Sequence, residues 1–83
     1  MNKLIFKMKY SGKRWADYLS EIFNKETAEK CIVESAATAK TNQARITINN
    51  FNGNKEVINK IKNNENTISA YLVENNKVKK RIV

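Results

Sequence analysis

Histidine and proline are absent from this chain, cysteine and tryptophan occur once each, and only two glycines are present. Each absence excludes something. Without histidine there is no imidazole for acid–base work at neutral pH and no His-based metal site. A single thiol forms no intramolecular disulfide. Without proline there is no cis-proline turn and no polyproline segment. Acids are also scarce, eight against sixteen Lys and Arg. The longest early apolar run, Leu4-Ile5-Phe6, ends at Lys7. A secretory h-region needs about 7–15 apolar residues and a membrane span about 20. The expectation is therefore a soluble, cytoplasmic protein with no membrane association, and the lone Cys31 agrees with a reducing compartment.

What is present is ordinary globular composition, 41% hydrophobic and 29% charged over 83 residues. That is one domain, residues 1–83, with a small core. Asn (13), Lys (13) and Ile (9) are abundant, the residues whose codons are richest in A and T. Codon bias can account for part of the +8 charge but not for its distribution. Residues 1–14 carry Lys3, Lys7, Lys9, Lys13 and Arg14 with no acid, residues 15–42 are net −2, and residues 67–83 are net +3. Positive charge gathers at the two ends.

Lys3 to Tyr10 alternates, with Leu4, Phe6, Met8 and Tyr10 on one side and Ile5, Lys7 and Lys9 on the other, the period of a half-buried strand. Ser11-Gly12 interrupts it. Trp15, Tyr18, Leu19, Ile22 and Phe23 then recur at helical spacing, and Asn24-Lys25 is a stop. A second strand is expected over Ala44–Phe51, a turn at Asn52-Gly53-Asn54 and a short helix over residues 55–63. Thr67–Glu74 and Lys77–Val83 read as a hairpin around Asn75-Asn76, a dipeptide that tolerates positive φ.

Residues 25–43 are ambiguous. Ala28, Cys31, Ile32, Ala36 and Ala39 fit a helix, whereas Cys31-Ile32-Val33 fits a strand. An internal comparison favours the strand. Gly12 to Glu34 and Gly53 to Glu74 each span a turn, a helix, an Asn-rich stop and an apolar triplet ending in Glu, over 22 and 21 positions. The alternative, one helix over residues 13–41, would be about 43 Å long, more than strands of eight residues can cover. Two such units give βαββαβ, a split-βαβ (ferredoxin-like) α+β fold. A C-terminal hairpin strand is added, and two helices lie on one face of an antiparallel sheet.

In that fold Leu4, Phe6, Met8, Cys31, Val33, Ile46, Ile48, Ile68, Ala70 and Leu72 face the helices. The opposite face shows Lys7, Lys9, Arg45, Thr47, Asn49, Ser69 and Tyr71, joined by Lys77, Lys79 and Arg81 on alternate positions of the last strand. Six cations among hydroxyls and amides form a surface for phosphates. Lysines on edge strands also serve simply to block sheet aggregation. RNA-recognition domains share this strand order and stack bases on aromatics of their central strands. Here only Tyr71 is available for stacking, and the chain is not assigned to that family.

Lys13 and Arg14 follow Ser11-Gly12 at the start of the Trp15 helix, where free N–H groups and cations could hold an anion, although an ordinary turn with exposed lysines reads the same way. Asn52-Gly53-Asn54-Lys55 repeats the pattern more weakly. Catalysis finds no support. Asp17 is the only Asp, and Cys31 has no histidine to activate it. Neither a metal nor a cofactor is expected.

Two functions fit. One is a nucleic-acid-binding module of weak sequence specificity acting through Lys7, Lys9, Arg45, Tyr71, Lys77, Lys79 and Arg81. The other is a protein-binding module, such as a phage or mobile-element inhibitor occupying an acidic surface of a host nucleic-acid enzyme, or a homodimer formed through the C-terminal edge strand.

Overall fold

The computed structural model describes residues 2–10, 12, 14–35 and 42–83. It is an α+β structure with one five-stranded antiparallel sheet and three helices among the described residues. The elements are β1 (Asn2–Lys9), α1 (Trp15–Ile22), α2 (Lys25–Glu29), β2 (Cys31–Ser35), β3 (Gln43–Asn49), α3 (Lys55–Lys62), β4 (Thr67–Glu74) and β5 (Lys77–Arg81). The sheet runs β2-β3-β1-β4-β5, so the first strand of the chain is the central one.

Period-two alternation decides which side is buried. Leu4, Phe6 and Met8 of β1 are fully buried, as are Ile46 of β3 and Ala70 of β4. Tyr18, Leu19 and Phe23 close over them from the first helical segment, and Val57 and Ile61 from α3. Phe6 and Phe23 meet edge to face, with centroids 6.1 Å apart. Ala44 and Phe51, at the two ends of the second expected strand, also belong to this core.

The ambiguous segment resolves into helix, then strand. The Asn24 side chain accepts a hydrogen bond from the Thr27 N–H at 2.8 Å, which caps a third, short helix the alternation did not anticipate. Cys31–Ser35 then pairs antiparallel with β3, Val33 opposite Ile46. Ala36 and Ala39 lie outside the described residues.

Two bulges shift what strict alternation predicts. Lys7 of β1 pairs with Ser69 but Met8 pairs with Thr67, leaving Ile68 unpaired between them. Ile68 is consequently 44% exposed rather than in the core. Thr67 takes the inward position, and its hydroxyl donates to the Ile61 carbonyl at 2.8 Å. In the hairpin, Asn75 and Asn76 have φ of 51° and 63°, the two positive values a two-residue turn of this hand requires. The second bulge lies beyond that turn. Leu72 pairs with Lys80 and Val73 with Val78, so Lys79 is the extra residue. Regular pairing of β5 stops at Arg81, and Ile82 returns to donate its N–H to the Ala70 carbonyl at 2.8 Å.

Three aromatic rings pack together beside the end of β1. Tyr10 stacks on Tyr18 at 3.7 Å, and Trp15 meets both rings edge-on. The Tyr18 hydroxyl accepts from the Asn66 side-chain amide at 2.8 Å. Gly12 lies directly against the Tyr10 ring, where a Cβ would come within 2.7 Å of Cζ and closer still to the hydroxyl. Tyr10, fixed by its stack, has little freedom to give way. Gly12→Ala is expected to cost about 1–3 kcal/mol, read as a lower Tm with loss of near-UV dichroism.

Candidate nucleic-acid interface

Because Leu4, Phe6 and Met8 point into the core, Lys3, Ile5, Lys7 and Lys9 of β1 point the other way. The register then fixes their neighbours. One row across the open side is Glu34, Arg45, Lys7 and Ser69. The next is Ile32, Thr47, Ile5, Tyr71 and Arg81. A third is Asn49, Lys3, Val73 and Val78, and Lys9 sits beside Gln43 at the far end of β1. A shallow depression of about 480 Å³ lies between the first two rows, lined by Ile5, Lys7, Glu34, Gln43, Arg45 and Tyr71.

The sequence-derived residues divide into groups. Lys7, Lys9, Arg45, Tyr71 and Arg81 share the open side, with Thr47, Asn49 and Ser69 among them. Arg45 is already partnered, with Nη2 2.7 Å from Oε2 of Glu34 across the β2–β3 pair. Both groups are more than half exposed, so the pair contributes at most about 1 kcal/mol. Among the described residues, Lys7 and Lys9 form no ion pair. The Arg81 Nε donates to the Val83 carbonyl at 3.0 Å.

Lys77 and Lys79 do not join that side. Lys77 lies opposite Glu74, whose other neighbour, Asn2, has the buried parity of Leu4. Lys79 occupies the bulge, and its Nζ is 2.9 Å from Oε2 of Glu74. That hydrogen bond and the ammonium charge hold the Glu74 carboxyl below its ordinary range. The two-residue turn sets Lys77 opposite Glu74, off the open side. The residue inserted at Lys79 then shifts the parity, so that of Lys77, Lys79 and Arg81 only Arg81 reaches that side. In their place β5 turns Val78, 65% exposed, to the open side.

Lys3 was missed although it has the parity of Lys7 and Lys9, and reading the alternation two residues back finds it. Glu34 was missed as the acid within the basic surface. Its parity with Ile32 was legible once β2 was accepted. Together, Lys3, Lys7, Lys9, Arg45 and Arg81 face Glu34 alone among the described strand residues.

The weaker anion site receives less. Lys13 and Ser11 lie outside the described residues. Arg14 is the exposed residue before α1 and makes no side-chain capping hydrogen bond. The helix starts at Trp15, one residue later than a site with Arg14 in its first turn requires.

Cys31, at the start of β2, is half-buried, and its Sγ donates to the Thr27 carbonyl at 3.5 Å. Burial pushes its pKa up from 9.0 to about 11. The folded protein thus holds this proton more tightly than the unfolded chain. The resulting stabilisation is complete below the unfolded thiol's pKa and is lost as pH rises through 11. Alkylation by iodoacetamide at pH 8 is expected to be slow in buffer and to accelerate at least about tenfold in denaturant. Equal rates would show the thiol to be open.

Among the described residues no group of acids and cysteine could hold a metal ion, and no helix is long and apolar enough to cross a membrane. Comparison with protein-family models, curated proteins and solved structures finds no match for this chain.

Proposed function

We propose that this chain is a small nucleic-acid-binding module of weak sequence specificity, built on a split-βαβ (ferredoxin-like) domain extended by a fifth strand. The topological part rests on strand order: β3 lies between β1 and β2, and β1 lies between β3 and β4. Each strand–helix–strand unit therefore holds a strand of the other. The functional part rests on one observation. Lys3, Lys7 and Lys9 line the central strand of a sheet face that no described helix covers, flanked by Arg45 and Arg81. Lys7 and Lys9 are successive on that face, about 6.6 Å apart, close to the spacing of phosphates along a single strand of nucleic acid. Lys3 lies two such steps from Lys7, with Ile5 between them. Tyr71, half-buried between Ile5 and Arg81, offers one ring on which a base can stack. With one aromatic and several cations, phosphate contact carries the affinity and base identity contributes little.

An amide-resolved NMR titration with oligothymidylate tests the placement. The reading expects the largest shifts at Ile5, Lys7, Thr47 and Tyr71, with α1 and α3 little affected. Shifts confined to the helices would remove the open side as the interface.

A protein-binding role draws on a different observation, the exposure of Val78 and Ile32 on the two edge strands β5 and β2. Edge-to-edge pairing through β5 would make a dimer. In that case nucleic-acid affinity would be absent at physiological salt, and sedimentation would report twice the monomer mass.

A further inference from the structure

On the other side of the sheet, α3 and the C-terminal strand leave a groove between them. Val57 and Ile61 of α3 are buried in the core. Lys55, Ile58, Asn59 and Lys62 follow one another at helical spacing along the flank of the helix that faces β5. Across from them are Leu72 of β4, Lys80 paired with it, Arg81 and Ile82. The groove has a volume of about 420 Å³. Ile58, Leu72 and Ile82 are half-buried against the core and form its floor. Ile82 is fixed there by the hydrogen bond from its N–H to the Ala70 carbonyl.

The rim is unusual in its charge. Lys55, Lys62, Lys80 and Arg81 line the groove, and no acid does. The acids nearby are engaged elsewhere. Glu56 pairs with Lys60 at 3.3 Å and Glu74 with Lys79 at 2.9 Å. Among the described residues, none of the four rim cations forms an ion pair. Four like charges around one groove repel one another, and an anionic partner relieves that repulsion.

We infer that this groove docks an acidic peptide segment bearing large aliphatic side chains, such as leucines flanked by Asp and Glu. Aliphatic anchors fill the floor, and carboxylates meet the rim, the usual division of an interface into apolar centre and polar margin. A nucleic acid satisfies only half of this surface. Its phosphates neutralise the rim but bring no aliphatic group for Ile58, Leu72 and Ile82. The site is separate from the basic open side of the sheet, except that Arg81 borders both.

The test uses a synthetic peptide with two leucines four residues apart among Asp and Glu. Two control peptides accompany it, one with the leucines replaced by Ser and one with every acid replaced by its amide. Amide shifts at Ile58, Leu72 and Ile82 locate the peptide. The expected result is affinity at least about tenfold above either control. It should fall by about tenfold or more in Lys62→Glu/Lys80→Glu and be retained in Lys7→Glu/Lys9→Glu. Both exposed double variants are checked for folding by their melts. Equal binding of the leucine-free peptide would overturn the inference, as would shifts confined to the open side or no binding at all. Displacement by oligothymidylate at equal charge concentration, with shifts in the groove, would assign the groove to nucleic acid instead. Loss of peptide binding in Lys62→Glu/Lys80→Glu with oligonucleotide affinity retained would separate this site from the proposed nucleic-acid face.

Discussion

Replacing Phe6 by Ala should unfold a large fraction of the protein at physiological temperature. Phe6 is completely buried at the centre of β1, itself the central strand, and its ring meets Phe23 edge-on. Removing a ring from such a site costs about 3–5 kcal/mol, the lost transfer energy plus the cavity left behind. Collapse into the cavity is restricted because Leu4, Met8 and Ile46 around it are also fully buried and held by strand pairing on both sides. A domain this small starts near the lower end of about 5–15 kcal/mol of total stability. At roughly 4–8 °C per kcal/mol, Tm should fall by more than about 12 °C. Ile32→Ala, at a half-exposed position on an edge strand, should stay within about 1 kcal/mol of the parent. Thermal melts of the two variants side by side check the contrast. Similar Tm values would mean the core is not centred on β1.

Reversing Lys7 and Lys9 to Glu should lower affinity for every oligonucleotide by about 10- to 100-fold at low salt. Both are exposed, lie on one face of the central strand and have no ion-pairing partner among the described residues, so their charges are available to phosphate and their loss should not disturb the fold. If each neutralises one phosphate, the slope of log affinity against log salt should shrink by about 1.4–1.8. Lys79→Ala is the matched control. It removes a cation that is already 2.9 Å from Glu74 and lies at a bulge off the face, and should change affinity less than about threefold. If Lys79→Ala weakened binding as much as the reversal did, affinity would reflect total charge rather than this surface. Anisotropy titrations of the three proteins against the same labelled strand decide it.

Much of the fold was legible because alternation and helical spacing are strong in this chain. Leu4-Phe6-Met8 and Ile46-Ile48 announce their buried side, and Asn75-Asn76 has the chemistry its turn needs. The Gly12–Glu34 and Gly53–Glu74 comparison located β2 in a segment that local pattern left open. The errors lie in strand register, set by bulges and by the hairpin turn. A bulge inserts one residue without any necessary change in composition, and beyond it the parity of the strand reverses. Ile68 thereby leaves the core and Arg81 comes to the open side, whereas Lys77 is kept off it by the two-residue turn that sets it opposite Glu74. Register is a property of two strands at once, so neither shift is visible in β4 or β5 alone. The Arg45–Glu34 pair was hidden for the same reason, since the two residues are eleven apart in the chain and meet only across β2 and β3. The groove beside α3 depends on where Ile82 turns back onto Ala70, a tertiary detail with no local signature.

The central claim, a phosphate-binding sheet face, is tested most directly by the salt dependence of binding. Fluorescence anisotropy of the unmodified protein would be measured against labelled single-stranded DNA, single-stranded RNA and duplex, from low salt to about 150 mM. The account predicts binding that persists at the upper salt, similar affinities for unrelated sequences, and a linear log–log slope corresponding to about three to five phosphates. Binding that vanishes well below that salt, or no slope at all, would contradict it and leave the positive charge to a protein partner.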